Sequence, residues 1–297
     1  MQDGAGGNVG REVMSPTRPI LRYHGGKWML APWIIESLPP HRIYVEPFAG
    51  AGSVLMRKKP APFCEVVNDL DGEIVNLYRV LRNQAQAESL CRMLELTPFA
   101  RAEFALSYEP VDGDPIEQAR RTVVRAFQGF GSDSGSGAKT GFRANGNRQN
   151  THPCKDWINY PRCLQAFTER LVGVIIENRP AVDIIRQHDA TTTLFYCDPP
   201  YVVETRSTNV TSCSDKGYRH EMTDDEHREL AGVLRSAKGM VVVSGYASAL
   251  YDKELFPDWH RKERKTMADH SRERIEVLWL NEAACAGQGQ QHLNFCG

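Results

Sequence analysis

The clearest indication of the fold is Arg42-Ile43-Tyr44-Val45-Glu46-Pro47-Phe48-Ala49-Gly50-Ala51-Gly52-Ser53. An apolar run closed by a glycine-rich turn predicts a buried strand that leads through a tight turn into a helix. This is the first βα unit of a Rossmann-like fold, in which glycines let a ligand lie against the backbone. Leu55 stands where a dinucleotide fingerprint needs a third glycine, so NAD and FAD are disfavoured.

A second predicted strand, residues 64–67, ends in Asn68 and Asp69. Doubly wound folds place an acid about 20 residues beyond the first turn, where it accepts hydrogen bonds from ribose hydroxyls. Gly50, Gly52 and Asp69 therefore agree on a ligand with a ribose and no pyrophosphate, and S-adenosylmethionine is such a molecule.

On the amino-terminal side, Tyr23-His24-Gly25-Gly26-Lys27 precedes an apolar helix that is predicted to reach about residue 38. Glycines at a helix entrance let backbone N–H groups approach an anion, and Lys27 adds a point charge. The segment predicts a carboxylate or phosphate site, although a Gly-Gly turn with a solvated lysine fits it equally well.

Further along, Leu194-Phe195-Tyr196-Cys197-Asp198-Pro199-Pro200-Tyr201 predicts a buried strand that opens into a rigid loop. Two prolines fix two φ angles and remove two donors, so the carbonyls there are held rigidly. Asp198 adds a second acceptor and Tyr201 a flat face, a combination that suits a planar group bearing an amine. Taken alone, the tetrapeptide also fits an ordinary strand-to-loop junction.

The remaining pattern is helical from residue 71 to about 128 and glycine-rich from 129 to 150. Phe130 and Phe142 in the glycine-rich stretch could stack on the bases of a nucleic acid, although the composition of the stretch is equally typical of a solvated loop. Strands are predicted at 174–177, 240–244, 251–266 and 275–280, the last ones antiparallel, with a helix opened by a capping box at Thr223.

Composition bounds the class of protein. The 297 residues are 41% hydrophobic and 25% charged, which predicts a globular chain of one large or two smaller domains. No apolar run approaches the roughly 18 residues of a membrane span, so we expect a soluble, intracellular protein. The eight cysteines include no C-x-x-C pair, which argues against a zinc knuckle and a disulfide framework.

The formal net charge is −1, but the basic residues are unevenly placed. Residues 115–170 contain nine Lys or Arg against four acids. Such a local surplus predicts one basic face that could contact nucleic acid.

Together, these motifs resemble the Dam-type DNA adenine methyltransferases, especially phage and prophage members, and they run in the order of that family over residues 18–281. The matching segments are Tyr23-His24-Gly25-Gly26-Lys27, residues 45–53, Asn68-Asp69, Trp157-Ile158-Asn159-Tyr160-Pro161, Asp198-Pro199-Pro200-Tyr201, Ser244-Gly245-Tyr246 and Glu276-Val277-Leu278-Trp279-Leu280.

The resemblance implies an α/β fold, a Rossmann-like S-adenosylmethionine-dependent methyltransferase sheet of seven strands with a mostly helical target-recognition insertion. The catalytic domain would comprise residues 18–82 and 166–281, and the DNA-binding insertion residues 83–165. Residues 1–17 and 282–297 would be disordered tails.

The resemblance also implies roles for individual residues. Gly50 and Gly52 would approach the methionine part of the cofactor, Lys27 its carboxylate, Glu46 its ammonium and Asp69 its ribose. Asp183 would approach the cofactor adenine, although Ile184 stands where the family usually has phenylalanine. Three sets follow: Tyr23, Lys27, Glu46, Phe48, Gly50, Gly52, Asp69 and Asp183 for the cofactor; Asp198, Pro199, Pro200 and Tyr201 for catalysis; Arg125, Lys139, Arg143, Arg148 and Lys155 for DNA.

The implied reaction is site-specific methyl transfer from S-adenosylmethionine to the N6 amine of an adenine flipped out of double-stranded DNA, with no metal. The expected setting is the cytoplasm of a bacterium or phage-infected host, as a monomer on DNA, with a cognate restriction enzyme as a further partner. Methylation of the cytosine N4 amine, or of a protein or RNA amide, stays an alternative, as does a catalytically silent DNA-binding relative. A nicotinamide enzyme is disfavoured further, and the target sequence cannot be deduced.

Overall fold

The structure is a computed structural model, and it describes residues 15–131, 139–144, 152–202, 219–267 and 273–294. Within these residues seven strands form one sheet: β1 (Ile43–Glu46), β2 (Cys64–Asn68), β3 (Val174–Glu177), β4 (Thr193–Cys197), β5 (Met240–Tyr246), β6 (His260–Met267) and β7 (Glu273–Leu280). Their order is β3-β2-β1-β4-β5-β7-β6. Strands β1 to β5 are parallel, and β7 is antiparallel to both of its neighbours. The α/β class and the antiparallel final pair are as predicted.

Helices cover both faces of the sheet, as burial of its parallel strands requires. They are α1 (Ala31–Glu36), α2 (Ser53–Arg57), α3 (Gly72–Arg82), α4 (Gln84–Leu96), α5 (Arg101–Leu106), α6 (Pro115–Gln128), α7 (Pro153–Asn159), α8 (Leu164–Leu171), α9 (Ala181–His188), α10 (Asp224–Ser236) and α11 (Glu282–Asn294). None of the helices in the described ranges is both long and apolar enough to cross a membrane.

Two apolar cores lie on opposite faces of the sheet, because successive strand residues point to opposite sides. Tyr196 of β4 and Leu278 of β7 belong to one core. Their neighbours Phe195 and Trp279 belong to the other. The carboxyl ends of β1, β2 and β4 are therefore held on a rigid, fully packed support.

The helices between β2 and β3 share the first of these cores with the sheet. Val123 of α6, Trp157 of α7 and Phe167 of α8 lie in the same buried cluster as Tyr196. Two polar anchors support the packing: the Trp157 indole donates to the Thr97 carbonyl (2.9 Å), and the Tyr160 hydroxyl donates to the Ile20 carbonyl (2.7 Å). Residue 83, the predicted domain boundary, lies between α3 and α4, and both helices pack into the same buried core.

Two sequence predictions are wrong, and both errors concern segments whose structure depends on long-range packing. Residues 251–266 were predicted as strand, but Leu250–Leu255 form a π-helical turn and the strand begins only at His260. Burial of Leu250, Tyr251 and Leu255 against the second core explains the turn.

The predicted disordered tail from residue 282 is also corrected, because it contains α11. Ala284 in this helix is fully buried. A Cβ built on Gly287 would lie 2.9 Å from Pro39 Cβ, which shows how closely the helix approaches residues before β1. Residues 1–14 of the predicted amino-terminal tail, residues 203–218 and most of the glycine-rich stretch lie outside the described residues.

Candidate functional site

A cavity opens at the carboxyl ends of β1, β2 and β4, the edge where ligands bind in open α/β sheets. Its wall contains six of the eight predicted cofactor residues, namely Tyr23, Lys27, Glu46, Phe48, Gly50 and Asp69. Asp198 and Pro200 of the predicted catalytic tetrapeptide line the same cavity. The fold therefore brings the glycine turn, the acid after β2 and the tetrapeptide after β4 into one site.

The turn after β1 requires glycine at two positions. Gly50 and Gly52 have φ values of +47° and +60°, in the left-handed region that favours glycine. A Cβ on Gly50 would lie 3.0 Å from the Tyr23 ring. A Cβ on Gly52 would overlap the Tyr78 hydroxyl, which donates to the Gly50 carbonyl (2.9 Å). Gly52 lies outside the cavity wall, so it acts by permitting the turn.

Two acids line the cavity, Glu46, which is buried, and Asp69, which is partly buried. Glu46 accepts hydrogen bonds from the Tyr44 hydroxyl (3.1 Å) and the Leu55 N–H (3.3 Å). Burial, together with the charge of Asp198, raises the pKa of Glu46 to about 8 despite these bonds. Asp69 accepts from the Gly50 N–H (2.8 Å) and the Asp71 N–H (2.9 Å), and burial raises its pKa to about 6. A cation would favour the charged form of Glu46.

Glu46→Gln is expected to stabilise the free protein at alkaline pH. Because the folded-state pKa of Glu46 is raised from 4.5 to about 8, the native state binds more protons between these values, and the free energy of unfolding falls as pH rises. The upper bound of this loss is on the order of 5 kcal/mol, since one pKa unit corresponds to about 1.4 kcal/mol. Denaturant unfolding at pH 5 and pH 9 measures the difference, with Glu229→Gln on the exposed face of α10 as control. Parallel pH dependences of Glu46→Gln and the parent would contradict this assignment.

Asp198 is held from two sides at the end of β4. The Lys27 ammonium lies 2.8 Å from its carboxylate and also donates to the Gly25 carbonyl (3.1 Å). The Ser244 hydroxyl of β5 donates to Asp198 Oδ1 (2.8 Å) and lies 2.9 Å from the Tyr196 hydroxyl. These contacts fix the orientation of the carboxylate. The Asp198 side chain is 18% exposed, so it is accessible from the cavity.

Tyr201 is buried against the same lysine. Its hydroxyl accepts a hydrogen bond from Lys27 and donates to Glu276 Oε1 (3.3 Å). Its ring lies 4.3 Å from the Tyr246 ring, centroid to centroid, at an interplanar angle of 38°. A base that stacks on Tyr201 must therefore use the ring face turned away from Tyr246, or displace Tyr246.

Asp183 does not reach the cavity. It lies in the first turn of α9, with a side chain 43% exposed and 3.8 Å from the Arg186 guanidinium. The predicted approach of Asp183 to a cofactor adenine therefore stays a prediction.

The predicted DNA-contacting residues lie in different environments. Lys139 and Lys155 are exposed, Arg143 is half-buried and 3.9 Å from Asp156, and Arg148 lies outside the described residues. Arg125 is only 4% exposed, and its guanidinium donates to Glu73 and to the Ser107 carbonyl. This structural pairing is inconsistent with the predicted contact with DNA. Phe142 likewise packs on Phe99 and Phe104, so its ring is committed to the protein.

Sequence reasoning gave no site role to Ser53, Ser244 or Glu276. Ser53 lines the cavity, and its buried Oγ has no hydrogen-bond partner among the described residues. Ser244 and Glu276 were noted only as parts of matching segments. For Ser244 and Glu276 the available signal was a polar residue inside an otherwise apolar strand, which is costly to bury without a partner.

Comparison with known proteins agrees with this geometry. A sequence model of the D12 class N6 adenine-specific DNA methyltransferase family matches residues 23–270. DNA adenine methylase of Salmonella typhi is 25% identical over 244 residues, which cover 80% of this chain and 84% of that protein. A type II methyltransferase of Lactococcus lactis subsp. cremoris is 24% identical over 262 residues, 82% of this chain and 86% of that protein. DNA adenine methylase of Vibrio cholerae is 35% identical, over 25% of this chain and 26% of its own length.

Proposed function

This chain belongs to the D12 class of N6 adenine-specific DNA methyltransferases, and we propose that it transfers the methyl group of S-adenosylmethionine to an adenine flipped out of double-stranded DNA. The family membership makes methyl transfer to the adenine N6 amine the reaction and DNA the substrate. The donor, the flipped base and the roles of single residues are the proposal. The observation that carries it is the position of Asp198 in the wall of the cavity that also contains Glu46 and Asp69.

Four features of the cavity support S-adenosylmethionine as its ligand. Gly50 and Tyr23 line the cavity together, and the absence of a Cβ at Gly50 lets the Tyr23 ring pack against the backbone of the turn. Asp69 uses its two backbone bonds for orientation and keeps lone pairs for ribose hydroxyls. Ser53 Oγ offers a buried hydrogen-bonding atom that lacks a partner among the described residues. Glu46 would gain its negative charge when an ammonium group binds beside it.

Lys27 is predicted to contact the cofactor, and it already contacts Asp198. Its predicted contact with the cofactor carboxylate would require the ammonium to exchange one of its present acceptors, since three protons already serve Gly25, Asp198 and Tyr201. Asp198 is the charged acceptor among these three. A bound anion would therefore compete with the Asp198 carboxylate for the Lys27 ammonium.

The proposed mechanism rests on hydrogen bonding at the amine. The N6 lone pair of adenine is delocalised into the ring, which makes the nitrogen a poor nucleophile. Asp198 and the Pro199 carbonyl accept hydrogen bonds from the two amine protons, which favours a tetrahedral nitrogen with an available lone pair. Pro199 and Pro200 keep these acceptors rigid, so little reorganisation is needed during the reaction. S-adenosylmethionine, when bound, supplies a methyl group on a cationic sulfonium. N6 loses one proton overall, and Asp198 is the acceptor within its reach.

Product analysis tests the proposal directly. The protein is incubated with double-stranded DNA and methyl-labelled S-adenosylmethionine, and the nucleosides are separated after digestion. We expect label in N6-methyladenosine of the deoxy series. Label only in N4-methylcytosine would establish the alternative base, and DNA binding without label would identify a silent relative. Sequencing of the methylated DNA would give the target sequence.

We further propose that the reaction takes place in the cytoplasm with one copy of the chain per adenine, and that a cognate restriction enzyme accompanies the protein, as in type II systems.

For contact with DNA we propose Lys139 and Lys155. Charge reversal at Lys139 or Lys155 is expected to weaken DNA binding on all sequences alike. Each lost phosphate contact should lower the slope of log affinity against log salt by about 1. Fluorescence anisotropy over a salt series measures this slope.

The matched control is Lys238→Glu, because Lys238 is exposed and lies just before β5, at the amino ends of the parallel strands and therefore opposite the cavity. It changes the net charge equally and should leave the slope unchanged. Cofactor affinity should be the same in all three variants. Equal slopes for Lys139→Glu, Lys155→Glu and the parent would remove both lysines from the interface.

A further inference from the structure

Glu276 is a buried acid next to the catalytic tetrapeptide. It lies on β7 opposite Tyr246 of β5 and is 1% exposed. Its Oε1 accepts from the Tyr201 hydroxyl (3.3 Å) and lies 3.4 Å from the Lys27 ammonium. A buried carboxylate needs a compensating charge, and the cation that faces Glu276 is the one that also pairs with Asp198.

One ammonium is thus shared by two carboxylates. Lys27 is 4% exposed, so solvent screens its attraction to either acid only weakly. The Lys27 ammonium lies 2.8 Å from the Asp198 carboxylate and 3.4 Å from the Glu276 carboxylate. Its attraction to Glu276 therefore weakens its hold on Asp198. An acceptor whose lone pairs are less engaged by Lys27 binds the amine protons of a base more strongly.

We infer that Glu276 is a positioning residue for methyl transfer, which acts through Lys27 to keep the Asp198 carboxylate available to the adenine amine. Without the charge of Glu276, the attraction of Lys27 to Asp198 would meet no competition from a second carboxylate. Burial raises the pKa of Glu276 and the charge of Lys27 opposes this rise, as expected for a buried acid that faces a cation. The inference rests on the proposed role of Asp198 in accepting these protons.

Glu276→Gln tests the inference with little change in shape. We expect the single-turnover rate constant of methylation to fall on the order of 10- to 100-fold, less than for loss of a group that touches the substrate. The dissociation constant for S-adenosylmethionine, measured by calorimetry, should change less than about threefold, because the charge of Lys27 is still balanced by Asp198. Glu263→Gln on β6 is the matched control, since Glu263 is exposed and pairs with Arg261. Thermal unfolding in the absence of ligand reports any loss of folded protein.

A double-mutant cycle with Lys27→Met separates this role from a structural one. If Glu276 acts through Lys27, then Glu276→Gln should change the rate constant less than about threefold in the Lys27→Met background. Additive losses, or a parallel loss of rate and cofactor affinity in the single variant, would overturn the inference. A parent protein that methylates no adenine in the same assay would instead refute the proposed function itself.

Discussion

Asp198→Asn is expected to reduce the single-turnover rate of adenine methylation by about three orders of magnitude or more, in line with the loss of a preorganised polar group at a reacting centre. The amide replaces one acceptor oxygen with a donor and removes the negative charge beside the amine. The fold should persist, because Glu276 still balances the buried charge of Lys27. Quenched-flow incorporation of labelled methyl into a duplex with one target adenine gives the rate constant.

The control is Asp225→Asn, which changes an acid whose side chain is 93% exposed at the start of α10. DNA and cofactor binding should be retained in Asp198→Asn at least within tenfold, so the loss appears in the chemical step. A rate constant within tenfold of the parent would show that another residue accepts the amine protons.

The second large effect is expected at the turn after β1. Gly52→Ala should lower the free energy of unfolding by roughly 3 kcal/mol or more, since a left-handed alanine costs about 1–2 kcal/mol and overpacking adds about 1–3 kcal/mol. The new methyl group overlaps the Tyr78 hydroxyl, so the turn must shift and disturb the bond from Gly50 N–H to Asp69. Cofactor affinity should fall more than tenfold. Urea unfolding and calorimetry measure the two losses.

Gly113→Ala separates the clash from the backbone strain. Gly113 has a φ of +71°, and a Cβ there meets no atom within 4 Å. Its substitution should therefore cost only the left-handed term and leave cofactor affinity unchanged. Adding Tyr78→Phe to Gly52→Ala removes the overlapping hydroxyl and should restore part of the stability. Equal costs for Gly52→Ala and Gly113→Ala would show that the turn accommodates the methyl group freely.

The strands nearest the site could be predicted because their signals are local. Val174–Glu177 was predicted with its observed bounds, and β1, β2, β4 and β5 within a few residues. Short apolar runs, ended by glycine, proline or an acid, have few other ways to bury themselves in an α/β chain. The cavity followed from the same patterns, since parallel strands end at one edge of the sheet.

Contacts between distant residues could not be predicted in this way. The basic character of Arg125 suggested DNA, but its partner Glu73 is 52 residues away in sequence. The same holds for Glu276, whose partner Lys27 lies at the other end of the chain. It also holds for α11, whose two glycines weaken the helical signal, while packing against Pro39 requires Gly287 to be small. Local patterns locate an element, whereas the tertiary structure decides which charge meets which.

The common interior of the sheet and the helices that precede β3 limits how DNA specificity can be changed in this protein. Val123, Trp157 and Phe167 support the same packing as Tyr196, one residue before the end of the catalytic strand. A chimaera that exchanges the whole segment from 83 to 165, which contains Val123 and Trp157, would therefore also exchange part of the support of Asp198. Retargeting should succeed by replacing surface loops while the buried faces of α6, α7 and α8 are kept, and fail when the helices are transplanted as a module.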